Sequence, residues 1–101
     1  NGDSGSAKTA IDALRKRANA STQPEYTLND ICDEWAREFY FEGRRRMDLI
    51  RFGFFGGNSS YVWEWKGGVK AGTNFSATKN VYGIPTNELV SNPNLSQNTG
   101  Y

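Results

Sequence analysis

The segment TLNDICDEWAREFYFEGRRRMDLIRFG, residues 27–53, is the strongest indication of the fold in this chain. Apolar side chains recur along it at the spacing of one helix face; they are Leu28, Ile31, Cys32, Trp35, Phe39, Met47 and Ile50. Thr27 and Asp30 have the spacing of a capping box, in which each side chain accepts a hydrogen bond from the other residue's backbone amide. Glycines from Gly53 onward end the pattern. The sequence therefore predicts one amphipathic helix over about 28–52.

We predict a single region over residues 1–101, in which three other segments accompany the 28–52 helix. Apolar residues at helical spacing predict a first helix over about 7–18. The stretch 58–81 has a short alternating pattern, a possible turn at Gly67-Gly68 and then a polar segment, and it is predicted to be irregular or to form a short hairpin. The stretch 82–101 has many Asn residues and is predicted to be an ordered tail. The predicted fold class is mainly α, with two amphipathic helices, short-strand or irregular segments and an extended C-terminal tail.

Composition restricts the classes of function. The chain has 12 basic and 11 acidic residues, and a formal net charge of +1 argues against nucleic-acid binding by a basic surface. It has no histidine, which excludes His-based triads and His zinc sites. Cys32 is the single cysteine, so it cannot form an intramolecular disulfide or a Cys-based metal cluster, and we predict a buried, inert thiol. We expect no metal and no cofactor.

Gly43 falls on the apolar stripe of the predicted 28–52 helix. A glycine inside a helix costs about 1 kcal/mol relative to alanine. We therefore expect this glycine to allow another element to approach the helix closely.

Charged residues beside the apolar stripe form the first candidate site. Glu38 and Glu42 are one helical turn apart, which leaves open a glycosidase that uses two carboxylates. On a helix, however, Glu42 would be next to Arg45 and Arg46, and Asp48 would be next to Arg45. Guanidinium groups this close lower a carboxyl pKa, whereas an acid catalyst needs a raised one. We predict a structural ion network of these five residues and no catalytic residue.

Aromatic residues in the stretch 58–81 form the second candidate site. Tyr61, Trp63 and Trp65 alternate with Val62 and Glu64, which is the pattern of a short strand. Exposed aromatic faces stack on sugar rings, and a neighbouring carboxylate accepts hydroxyl hydrogen bonds. The alternative is that the same rings fill the core of a small protein. The sequence leaves both interpretations open.

Motifs in three places, taken together, resemble the SusD/RagB family of nutrient-binding lipoproteins. The segment Ala13-Leu-Arg-Lys-Arg-Ala18 is similar to the family's Arg-x-Arg-Ala element. The family's long helix is matched at Glu34, Arg37, Glu38, Phe41, Glu42, Gly43, Arg45, Asp48, Leu49, Arg51 and Gly53. The family's terminus is matched at Ile84, Pro85, Glu88, Leu89, Asn92, Pro93, Asn94, Leu95, Gln97, Asn98, Gly100 and Tyr101. The resemblance covers most of the chain.

The resemblance implies a tetratricopeptide-like helical fold and a non-catalytic role. Family members are lipid-anchored to the outer membrane through an N-terminal cysteine that this chain lacks. They cap a SusC-like TonB-dependent transporter at the cell surface and capture an oligosaccharide or other nutrient for import. On this basis we expect the chain to be the C-terminal part of such a protein, either an excised piece or a processed fragment.

The resemblance assigns most ligand contacts to regions upstream of this one. Trp63 and Trp65, with Tyr61 beside them, are therefore the only local residues that we expect to touch a ligand. The alternative is a purely structural scaffold, or a protein-interaction segment with no ligand site of its own.

Overall fold

A computed structural model describes residues 4–101, and they are mainly helical, which confirms the predicted fold class. The helices are α1 (Ser4–Arg17), α2 (Leu28–Glu38), α3 (Arg45–Arg51) and α4 (Thr86–Ser91), and two short 3₁₀ turns lie at Lys66–Gly68 and Ala77–Asn80. None of these helices, within the part of the chain described, is long and apolar enough to cross a membrane. The described residues divide into two compact units, 4–45 and 46–101.

The first unit is a helical hairpin of α1 and α2. Ile11 of α1 and Cys32 of α2 are buried, as predicted for the thiol. Arg15 on α1 donates to Glu34 on α2 at 3.0 Å. A second ion pair joins Arg17 to Glu38. Apolar burial and two ion pairs therefore hold the same two helices together.

The capping box predicted at the start of α2 is confirmed. The backbone amide of Asp30 donates to Thr27 Oγ1 at 3.2 Å, and the backbone amide of Thr27 donates to Asp30 Oδ2 at 2.8 Å. Two amide donors at the helix start are thereby satisfied, and the Asp30 charge lies at the positive end of the helix dipole.

The single helix predicted over 28–52 is wrong, because the chain leaves the helix between α2 and α3. Phe41 has φ 64° and Gly43 has φ 72°, and both values lie in the left-handed region that an α-helix cannot contain. The close approach predicted at Gly43 is also wrong. A Cβ built there meets nothing within 4 Å, so the backbone conformation explains this glycine.

The second unit contains α4 and all of α3 except Arg45, and most of the chain between these helices is irregular. Of the two alternatives predicted for 58–81, the irregular one is found, and neither a hairpin nor the short strand suggested by Tyr61–Trp65 forms in this unit. One isolated parallel bridge joins Gly56 to Phe75, and Gly57 donates to the Phe75 carbonyl at 2.9 Å. Side chains, rather than a sheet, therefore supply much of the order here.

The tail is held to the segment before α4 by side-chain hydrogen bonds. The Gln97 side chain accepts from the Ile84 amide at 2.8 Å and donates to the Ile84 carbonyl at 2.9 Å. Asn98 donates to the Tyr82 carbonyl at 2.6 Å, and Tyr101 Oη donates to the Val81 carbonyl at 2.9 Å. Gln97 thus pairs with Ile84 as a neighbouring strand would.

Candidate functional site

The candidate site is the aromatic loop, residues 61–65, in the second unit. Trp63 is 38% exposed and Trp65 is 63% exposed, while Tyr61 is half-buried. The structure therefore brings the three predicted ligand residues together in one surface loop. Two of them present indole surface to solvent, so they do not merely fill a core.

Ring contacts hold the inner side of this loop. Tyr61 stacks on Phe54 with ring centroids 4.7 Å apart and planes inclined by 13°. Trp63 meets Tyr61 edge-on at 5.9 Å. Offset stacks and edge contacts of this kind each contribute about 0.5–1.5 kcal/mol beyond the area they bury. Tyr61 therefore supports Trp63, and Trp65 projects farther into solvent than either.

Trp65 adopts a backbone conformation that is rare for its residue type. Its φ of 66° and ψ of 4° lie in the left-handed region, where an L side chain is disfavoured. The Trp65 amide donates to the Lys70 carbonyl at 3.3 Å, and Gly68 donates to the Trp65 carbonyl at 3.0 Å. The loop thus turns sharply at the residue that carries the more exposed of its two indoles.

Lys66 lies beneath the loop and is 1% exposed. Its Nζ donates to the carbonyls of Phe54 at 2.9 Å and Tyr61 at 3.0 Å, and to Asn74 Oδ1 at 2.6 Å. The same Nζ lies 4.8 Å from the centre of the Trp63 ring. Burial lowers the pKa of Lys66, although three acceptor oxygens match the three N–H donors of its ammonium form.

Asn74 and Gly72 complete the support of the aromatic loop. Asn74 Nδ2 donates to the Ser59 carbonyl, and Ser59 Oγ accepts from the Tyr61 amide at 3.0 Å. Gly72 has φ 77°, and a Cβ there would collide with the Trp63 carbonyl oxygen. The close backbone approach at Gly72 therefore requires a residue without a side chain.

The chemistry available at the loop is that of a polyol-binding surface. Exposed indole faces can pack against the C–H faces of sugar rings, and the carboxylate of Glu64, an exposed residue between the two tryptophans in sequence, can accept hydroxyl hydrogen bonds. Within residues 4–101, no group of three or more Cys, Asp or Glu side chains is placed to hold a metal ion. The loop is suited to reversible binding through stacking and hydrogen bonds.

The five residues of the predicted ion network lie in separate contacts. Glu38 accepts from Arg17 Nη2 at 2.6 and 2.7 Å, so its partner comes from α1. Glu42 is exposed and takes part in none of the ion pairs of residues 4–101. Arg45 donates to the Cys32 carbonyl at 2.8 Å and to its Sγ at 3.2 Å.

The other two members of that set lie in the second unit. Arg46 donates to the Lys79 carbonyl at 2.6 Å, and its guanidinium carbon lies 3.7 Å from the centre of the Tyr82 ring. Asp48 is buried and accepts from Arg51 at 3.3 Å. Arg46 therefore anchors main chain and an aromatic ring in this unit.

Two residues of the site, Lys66 and Asn74, were not indicated by the sequence. A lysine next to Gly67 and Gly68 has the composition of an exposed turn, and lysine is among the residue types least often buried. Asn74 lies in a polar stretch without periodicity. The only signal was indirect, because an irregular loop needs side chains to satisfy its backbone groups.

Comparison with known proteins assigns the chain to a family. It matches the SusD_RagB family model, described as the SusD family, over residues 1–101. It is 50% identical over 98 residues to the starch-binding protein SusD of Bacteroides thetaiotaomicron. That match covers 96% of this chain and 18% of the relative, so the chain spans about a fifth of the length of that protein. The chain belongs to the SusD family.

Proposed function

We propose that this chain takes part in the non-catalytic binding of a starch-type oligosaccharide, with Trp63, Trp65 and Tyr61 as its local contact residues. The observation that carries the proposal is the aromatic loop itself. Two partly exposed tryptophans, 38% and 63% accessible, lie on either side of Glu64 in the sequence of a loop whose Tyr61 carbonyl is bound by the buried Lys66. The 50% identity to a starch-binding protein supports the choice of ligand class.

Binding at this loop follows from the chemistry of glucose units. Each unit presents an apolar C–H face and a rim of hydroxyl groups. The Trp65 indole takes the apolar face, and Glu64 accepts from the hydroxyl groups. Because the loop is exposed, the hydroxyl groups of a stacked sugar stay in contact with water or Glu64, so stacking and hydrogen bonds suffice for weak, reversible capture.

The proposal extends to where the ligand goes. In the whole protein, a lipid anchor holds the binding region at the outer face of the outer membrane. The captured oligosaccharide then passes to a SusC-like TonB-dependent transporter. Membership of the SusD family supports this placement and this partner.

Isothermal titration with maltoheptaose tests the binding proposal. We expect Trp65→Ala to weaken the affinity about tenfold, which equals about 1.4 kcal/mol. Tyr40→Ala is the matched control, since Tyr40 is an exposed aromatic residue of the other unit, and it leaves the affinity unchanged. Equal affinities of Trp65→Ala and the parent chain would rule out a local binding role for this loop.

A second candidate function is a protein-contact segment with no ligand site. Phe41 is 91% exposed and Tyr40 is 74% exposed, and the two rings contact each other edge-on at 4.5 Å. Exposed aromatic pairs mark protein contacts more often than isolated exposed residues do. On this alternative, Phe41→Ala weakens co-purification with the transporter, and maltoheptaose affinity does not depend on Trp65.

A further inference from the structure

We infer that Lys66 and Asn74 are positioning residues, which fix the aromatic loop in the shape that the ligand meets. The inference rests on the proposed function, because it assigns these two residues to the same site. Neither side chain touches the ligand; each acts through the backbone and rings of the loop.

Lys66 joins several segments of the second unit. Its ammonium group bonds to carbonyls at Phe54 and Tyr61 and to the side chain of Asn74. Asn74 extends the connection to the Ser59 carbonyl. Three stretches of irregular chain, at residues 54, 59–61 and 74, are thus joined around one buried amine, where no sheet or helix pairs their backbone groups.

Lys66 and the residue before it, Trp65, differ strongly in exposure. The Lys66 side chain is buried beneath the loop, while the preceding residue, Trp65, is 63% exposed and has a left-handed backbone. The Lys66 amide donates to the Trp63 carbonyl at 3.1 Å, and its carbonyl accepts from Thr73 at 2.9 Å. Hydrogen bonds at the Lys66 amide, carbonyl and Nζ therefore fix the turn of the loop. This turn presents Trp65 to solvent.

The Lys66 amine has no direct chemical role. A buried lysine whose pKa is lowered can act as a nucleophile when it is accessible. Lys66 is not accessible, and its three N–H donors are matched by three acceptors at 2.6–3.0 Å. Its contacts are those of a structural anchor.

The expected effect on binding follows from preorganisation. A loop that is ordered before the ligand arrives does not lose conformational entropy on binding, so its affinity is higher than that of a mobile loop. Lys66→Met keeps an unbranched side chain, one heavy atom shorter than lysine, and removes its three N–H donors. We expect the loop to become mobile and maltoheptaose affinity to fall roughly tenfold.

The first measurement needs no ligand. In a Trp35→Phe background, tryptophan emission reports only Trp63 and Trp65, and iodide quenching measures their accessibility. We expect Lys66→Met to raise the quenching constant while the helical circular dichroism stays the same. Lys70→Met, an exposed lysine of the same segment, is the matched control and leaves quenching unchanged. Unchanged quenching in Lys66→Met overturns the inference, whether or not the chain binds a glycan.

The second measurement is a double-substitution cycle with maltoheptaose. If Lys66 acts through the loop, Lys66→Met weakens the parent chain but adds nothing in a Trp65→Ala background. Equal losses in both backgrounds overturn the inference. Raised quenching in a chain that binds no maltoheptaose overturns the proposed function and the assignment of Lys66 to binding, while its effect on the loop stands. If Lys66→Met abolishes the helical signal, Asn74→Ala, which removes one of the three acceptors, is assessed by the same criteria.

Discussion

Trp65 combines a large exposed indole with a left-handed backbone. A non-glycine residue in this region costs on the order of 1–3 kcal/mol, which the surrounding contacts must outweigh. Lys66 and Gly68 provide such contacts on the C-terminal side of Trp65. Strain of this kind is concentrated at functional sites, and a solvent-exposed indole supplies little stability in return.

Replacing Trp65 by glycine separates binding from folding. Trp65→Gly removes the stacking surface and relieves the left-handed strain, so we expect no loss of stability and a loss of maltoheptaose affinity of about tenfold. Trp63→Ala is the comparison. Its ring contacts Tyr61 and lies over Lys66, so we expect about 2 kcal/mol of destabilisation as well. Urea unfolding and calorimetric titration measure the two quantities; a Trp65→Gly chain that binds as the parent does would contradict the account.

The clustering of three aromatic residues in one short segment could be read from the sequence, but the geometry of that segment and its support by Lys66 and Asn74 could not. Aromatic residues beside a carboxylate indicated a sugar-binding surface, and Tyr61, Trp63 and Trp65 do lie in one loop. Their alternation suggested a strand, and the chain instead turns at Trp65. The turn depends on the bonds of Lys66 to distant segments, and local periodicity carries no information about such bonds.

At the scale of elements, one feature of the helices could be predicted from the sequence and another could not. The capping box at Thr27 was predictable because it depends on residues three apart. The break after α2 was not, because Phe41 adopts a positive φ that its residue type disfavours. Once the helix ends there, the three- and four-residue spacings from Glu42 to Arg45 and Arg46 no longer make them neighbours. This explains why the ion pairs differ from the predicted ones.

The tail is attached by a side-chain amide that imitates a strand. Gln97 makes two hydrogen bonds to Ile84, and Lys79 adds one to the Gly100 carbonyl at 3.2 Å. A polar tail rich in Asn and Gln indicated hydrogen bonding to backbone, but not which residue makes it.

Removing this attachment should release the tail. We expect Gln97→Ala to lower the free energy of unfolding by about 1–2 kcal/mol, since three partly buried hydrogen bonds are lost, two with Ile84 and one from the Asn98 amide. The Ile84 amide loses its acceptor, so its hydrogen exchange should accelerate by more than that of the α1 amides. Asn94→Ala, an exposed change in the same tail, is the control and should alter neither quantity. Unchanged exchange at Ile84 would show that the attachment is unimportant.

At the scale of the molecule, carboxylates of the first unit determine the response to acid. Burial alone would raise the pKa of Glu34, but hydrogen bonds from Arg37 at 2.6 Å and Arg15 at 3.0 Å outweigh it, and the pKa lies below its ordinary value of 4.5. The pKa of Asp12 is also lowered, chiefly by a hydrogen bond from Lys8. Both groups release their protons more readily in the folded chain than in the unfolded chain.

Stability should therefore fall in acid. The unfolded chain binds more protons as the pH drops, so the contribution of Glu34 is complete above its ordinary pKa of 4.5 and is lost as the pH falls through the lower folded value. Glu34→Gln should cost about 2 kcal/mol at neutral pH and weaken the acid dependence. Urea midpoints across this range test the prediction, with the exposed Glu25→Gln as control. The same acid slope in Glu34→Gln and the parent would contradict it.

The most direct test of the account is iodide quenching of tryptophan emission in the intact chain, with and without saturating maltoheptaose. Trp63→Phe and Trp65→Phe are measured alongside, because three tryptophans emit together. The account predicts that iodide quenches the unbound chain, that maltoheptaose protects it, and that most of the protection disappears in Trp65→Phe. Quenching that maltoheptaose leaves unchanged in the parent chain would contradict the claim that the aromatic loop binds carbohydrate.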